Sequence, residues 1–119
     1  MNEEDIRWNR FIDEVCYREI TILSLVQKMA VLCFWYDAEM NSGGHSGYFD
    51  CYPDTIPEEL YYAIIEVGNK KIADNYKKAL NFGEDDGYKE TDNTYYGYVP
   101  SLCDFLMEYV ENNKEKIFE

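Results

Sequence analysis

Residues 20–36 read Ile20-Thr21-Ile22-Leu23-Ser24-Leu25-Val26-Gln27-Lys28-Met29-Ala30-Val31-Leu32-Cys33-Phe34-Trp35-Tyr36. These 17 residues are the one long apolar stretch of the chain, and Thr21, Ser24, Gln27 and Lys28 interrupt it. The run falls short of the ~20 apolar residues of a membrane span, and its polar positions recur as a stripe. Continued to about residue 40, it puts Ile22, Leu25, Val26, Met29, Leu32, Cys33 and Tyr36 on one broad face. A helix apolar nearly all round is one that other helices surround, so 20–40 is expected to be the hub of the core. Asn41-Ser42-Gly43-Gly44 should end it, because a glycine takes the left-handed conformation at no steric cost.

Outward from this helix, the same periodicity recurs on both sides. Trp8, Phe11, Ile12 and Val15 give residues 3–18 an amphipathic face, with Glu3, Glu4 and Asp5 at the positive end of the dipole. A short helical or irregular piece is expected over Ser46–Cys51. Thr55 with Glu58 three residues on has the form of a capping box, ahead of a helix carrying Leu60, Tyr61, Ile64 and Ile65. Gly68 stops that helix, Asn69 caps the next, and Ile72, Tyr76, Ala79 and Leu80 face inward until Gly83. Residues 84–97 show no sustained period and read as the longest and most mobile loop, with a brief extended piece at Tyr95-Tyr96. A last amphipathic helix runs from about Pro100 to 116. The expected fold is all-α, a single-domain bundle of about five to six helices spanning 1–119.

The chain has 119 residues, 46% of them hydrophobic, with 7 Gly and 3 Pro, which fits one folded domain and excludes a low-complexity chain. Its 24 acidic against 11 basic side chains leave a net charge of −13, which opposes direct binding to nucleic acid or to an anionic membrane. Cys16, Cys33, Cys51 and Cys103 match no zinc or thioredoxin-type spacing and are expected to be reduced and buried. The start Asn2-Glu3-Glu4-Asp5 has no basic or apolar leader, so a cytoplasmic protein is expected.

The charge is unevenly spread. From Met29 to Asn69 there is no Lys or Arg, while Asp37, Glu39, Asp50, Asp54, Glu58, Glu59 and Glu66 accumulate; Glu84, Asp85, Asp86, Glu90 and Asp92 follow after a basic interval. A domain of this mass exposes roughly 6,700 Å². Spread evenly, thirteen net charges are about five-fold more dilute than those of a duplex. Only convergence of the two acidic groups on one face would approach that density.

Catalytic signals are weak. His45 is the single histidine, so any Cys-His or Ser-His pair must use it, and a small enzyme built on His45 and Cys51 ranks below a binding role. Asp37/Glu39 and Glu58/Glu59 are spaced onto different helix faces and form no acid/base couple. Asp85-Asp86-Gly87 lacks the alternating ligands of an EF-hand, and no phosphate loop is present. No cofactor and no metal is expected. The twelve tyrosines suit core packing with wet hydroxyls, or a protein interface.

The run Tyr36-Asp37-Ala38-Glu39-Met40-Asn41-Ser42-Gly43-Gly44-His45-Ser46-Gly47-Tyr48-Phe49 resembles the DMP-type DNA-mimic protein family of bacteria. The family pattern is an acidic helix end, an Asn-Gly-Gly turn, here Asn41, Gly43 and Gly44, and an aromatic pair, here Tyr48 and Phe49. The similarity continues through Leu60–Val67, Gly68-Asn69, Ala79–Gly83 and Tyr95–Val110; Ser42 within the turn and Gly47, where glutamine is common, depart from it. The resemblance implies a helical bundle whose surface carboxylates imitate duplex DNA to occupy a DNA-binding protein. The expected function is therefore a non-enzymatic acidic interaction protein. Its binding residues are Asp37, Glu39, Asp50, Asp54, Glu58, Glu59, Glu84, Asp85, Asp86, Glu90 and Asp92, and its partner is a basic DNA-binding protein. An immunity-type inhibitor of a basic nuclease toxin is the alternative, and the exposed tyrosines are compatible with a homodimer.

Overall fold

The computed structural model describes residues 2–118, which contain eight α-helices and no strand. Helix α1 (Glu3–Arg10) is capped by Asn2, whose side chain accepts from the Asp5 amide, and passes into one wide π turn at Phe11–Val15. The first helical segment thus stops at Val15 rather than 18. Phe11 and Val15 are fully buried.

Helix α2 (Leu25–Met40) begins five residues later than expected, and residues Ile20–Ile22 form a separate 3-10 turn. The cause is Ser24, whose hydroxyl accepts from the Gln27 amide while the Gln27 side chain accepts from the Ser24 amide. A polar residue that reads as an interruption is the cap. Ile22 and Leu25 consequently lie outside the core, 69% and 68% exposed. Within α2, Ala30, Val31, Leu32, Cys33, Tyr36 and Met40 are buried, and the helix packs on α3 (Gly44–Cys51), α4 (Pro57–Val67), α7 (Leu102–Asn112) and α8 (Lys114–Ile117).

Thr55 does not cap α4. Ile56 occupies that position without a side-chain bond, and Pro57 starts the helix with its preset φ and absent N–H. The Thr55 hydroxyl instead accepts from Tyr48, 3.3 Å away. Asn69 does cap α5 (Lys70–Phe82), accepting from the Ile72 amide at 2.9 Å. Leu80 is 41% exposed, so the inward face of α5 is Ile72, Ala73, Asn75, Tyr76 and Ala79.

Residues 84–97 are helical, not a loop. A 3-10 turn at Gly83–Asp86 leads through two left-handed residues, Gly87 and Tyr88, into α6 (Lys89–Tyr96). Two turns of helix with only Thr91 and Tyr95 buried are too short to show a period in sequence. Residues at the chain end form α7, capped reciprocally by Ser101 and Asp104, and the four-residue α8 after a break at Asn113.

Candidate functional site

Helix α3 is the centre of two connected features, a buried polar latch beneath it and an acid-rimmed aromatic cleft beside it. The latch begins with Gly44, whose φ of +66° turns the chain into α3; a Cβ here would collide with the Asp92 carboxylate. Glycine is required by the backbone and by the space. His45 follows and is completely buried. Its Nδ1 lies 2.7 Å from Asp92 Oδ1, which also accepts from the His45 amide at 3.0 Å, and its Nε2 lies 2.6 Å from the Tyr36 hydroxyl. A carboxylate only accepts, so Nδ1 carries the proton, and a neutral ring then accepts the Tyr36 proton at Nε2. Burial pushes the imidazole below its usual pKa, with Asp92 opposing, so the ring is neutral at pH 7.

Around this bond the aromatic side chains form a continuous cluster. Tyr36 meets Tyr48, Tyr76 and Tyr95 edge-on, with centroids 5.1–5.5 Å apart. The Tyr95 hydroxyl donates to Asp37, to which Asn41 also donates at 3.2 Å, and the Tyr96 hydroxyl donates to the Met40 carbonyl. Asn75 reaches from α5 to the Thr91 carbonyl at 2.9 Å. These bonds tie α6 to α2, α3 and α5, which explains why a stretch so polar is ordered.

Asp37 and Asp92 therefore leave the candidate docking surface. Asp37 is 8% exposed, and burial raises its pKa against the hydrogen bonds from Tyr95 and Cys103. Asp92 belongs to the latch. Glu59, inside the lysine-free interval, pairs with Lys28 at 2.9 Å, so sequence distance from a lysine did not mean absence of a counter-charge; Glu90 pairs with Lys78 at 2.5 Å. Asp86 accepts from the Glu90 amide at the start of α6. Glu39, Asp50, Asp54, Glu58, Glu84 and Asp85 have no ion-pair partner among the described residues. Three of them gather around α3. Asp50 is carried by α3 itself, Glu39 Oε2 lies against Gly47 of that helix, 3.5 Å from where a Cβ would stand, and Glu84 faces Tyr48 and Phe49 of α3 across a cleft.

The cleft lies between α3, the 52–57 segment, α5 and Tyr88. It has a volume of about 320 Å³ and is walled by Tyr48, Phe49, Tyr52, Tyr76, Leu80 and Tyr88, with Glu84 at its edge. Tyr88 is the single non-glycine residue with positive φ among those described, at 66°, a conformation that costs roughly 1–2 kcal/mol. Its ring fills the space over Gly83 and packs on Phe49 at 5.6 Å and His45 at 6.4 Å. Tyr52 stacks on Trp35 at 5.4 Å on the far side. Of the residues expected to matter, Tyr48 and Phe49 build the cleft, whereas Asn41, Gly43 and Gly44 shape the turn into α3.

A Cys-His couple finds no geometry here. Both His45 ring nitrogens are engaged, and Cys51, exposed rather than buried as expected, has its thiol held up by slight burial and by Glu39 and Asp50. All four cysteines are free; Cys16 and Cys33 are buried and Cys103 is half-buried. No helix among the described residues is long and apolar enough to cross a membrane. The roles of Tyr88 and Asp92 carried no signal in sequence, since each acts on a residue more than thirty positions away.

A family model described as DMP19-like protein matches residues 22–115, and the chain belongs to that family. No curated protein and no solved structure matches it.

Proposed function

From membership of the DMP19-like family and the carboxylates around α3, we propose that this chain is a non-enzymatic DNA mimic. In this reading it occupies the basic surface of a DNA-binding protein through Glu39, Asp50, Asp54, Glu58, Glu84 and Asp85. The observation that carries it is the gathering of Glu39, Asp50 and Glu84 around one helix with no lysine or arginine paired to them. Unneutralised exposed carboxylates raise the local potential, steer a basic partner and make its affinity fall with salt. The engaged ring of His45 supports binding rather than catalysis as the role of the α2–α3 turn.

The test is affinity capture from an extract of the cells that carry the gene, at low salt with a salt gradient, beside a variant with all six carboxylates changed to Gln or Asn. The expected result is a basic DNA-binding protein that elutes at moderate salt from the wild type and is not retained by the variant. Retention by both proteins alike would refute the reading. A captured nuclease whose activity the chain inhibits would replace the mimic with an immunity role.

A further inference from the structure

Four clefts on this surface are lined by aromatic rings, and they differ in the charge around those rings; in the one beside Trp8, Glu111 is already paired with Arg7. The groove between α4 and α5 carries its own lysine, with Lys77 Nζ 5.6 Å from the Tyr61 ring centre. The cleft beside Trp35 and Tyr52 contains Lys28, already paired with Glu59. The cleft walled by Phe49, Tyr52 and Tyr88 has Glu84 at its edge and Asp50 near Tyr88, and none of its lining residues is a cation. Aromatic faces beside carboxylates attract a cation through the ring quadrupole and through charge together. At about 320 Å³ the cleft lies at the small end of ligand-holding pockets, roughly 300–1,000 Å³. Tyr88, held at positive φ, forms one wall, and strain of this kind collects at binding sites.

We infer that this cleft receives an arginine side chain of the basic partner, its guanidinium lying against Tyr88 and bonded to Glu84, since Tyr52 is already stacked on both Trp35 and Tyr48. The inference rests on the docking reading above and adds to it a contact that exposed charge pairs lack. A planar guanidinium stacks on rings and forks to a carboxylate, whereas an ammonium acts as a point charge, so arginine is preferred over lysine. Stacked within a walled cleft, the contact is screened less by salt than the surrounding carboxylates.

The experiment is an NMR titration of the full chain with a blocked Gly-Gly-Arg-Gly-Gly peptide, beside the same peptide carrying lysine or citrulline, at low and at physiological salt. The expected result is saturable shifts confined to Phe49, Tyr52 and Tyr88. Arginine should bind at least about threefold tighter than lysine, and citrulline should bind more weakly than either. Glu84→Gln and Tyr88→Leu should each weaken binding about fivefold, while Glu115→Gln, far from the cleft, should leave it unchanged. Shifts spread over every acidic segment, equal for arginine and lysine and abolished by salt, would overturn the inference. So would a cleft closed by a second copy of the chain, seen as a dimer in sedimentation that Tyr88→Leu dissociates. A captured DNA-binding protein that binds Tyr88→Leu as tightly as wild type would sink the cleft and leave the mimic standing. Cleft binding of the peptide with no basic protein captured would do the reverse.

Discussion

His45 is the residue where fold and chemistry meet. Its folded pKa lies below the ordinary 6.5, so between those two values the unfolded chain binds more protons than the folded one. The stabilisation from a neutral His45 is complete above about 6.5 and is lost as the pH falls through the folded value. Asp37 acts with the opposite sign: its pKa is raised from 3.8, so it favours the folded state at acid pH and that contribution is lost as pH rises through its folded value. Denaturant unfolding of His45→Gln should therefore show two things. Stability at pH 7 should fall by about 1–3 kcal/mol, because Tyr36 or Asp92 is left without its partner, and the decline from pH 6.5 to 5 should be flatter than in wild type. An unchanged pH profile would mean that the ring is not held neutral. Gly44→Ala should lose more than about 1 kcal/mol, since it adds backbone strain at positive φ and drives a methyl into Asp92.

Helix α6 shows most plainly how far pattern reading reaches. Long helices with a sustained apolar face, α2, α4, α5 and α7, are legible from periodicity, and Asn69 from its type and place. Their ends are less so: Ser24 with Gln27 and Ser101 with Asp104 share the capping-box spacing of Thr55 with Glu58, yet only the first two pairs cap a helix, and spacing alone does not tell them apart. Helix α6 was illegible because Asp92, Tyr95 and Tyr96 find partners on α2 and α3, 47 to 58 residues away by chain position. Those same bonds make it separable. Asp92→Ala should cost about 2 kcal/mol and raise amide exchange across 89–96 while α4 stays protected; uniform loss of protection would place α6 inside the global unfolding unit instead. Ser24→Ala should cost about 1 kcal/mol and loosen the first turn of α2, read in the same exchange experiment.

Across the whole molecule, the accessible surface of 7002 Å² carries thirteen net negative charges, about one per 540 Å². Evenly spread, that is far too dilute to imitate a duplex, so any mimicry depends on where the unpaired carboxylates sit. The acidic composition was plain from sequence. Which acids remain unpaired was not, because the fold buries Asp37, engages Asp92 with His45 and sets Glu59 and Glu90 beside lysines, and the cleft's aromatic walls come from segments far apart in the chain. Changing Glu39, Asp50 and Glu84 together to Gln or Asn should weaken a captured partner at least about tenfold at low salt and leave the melting temperature equal or higher, since repulsion is relieved. The most direct measurement is competition: the captured protein, bound to labelled chain, is titrated with duplex DNA at several salt concentrations. The account predicts mutually exclusive binding, with the affinity of the chain falling steeply and linearly in log salt. A ternary complex with DNA, or an affinity flat in salt, would contradict it.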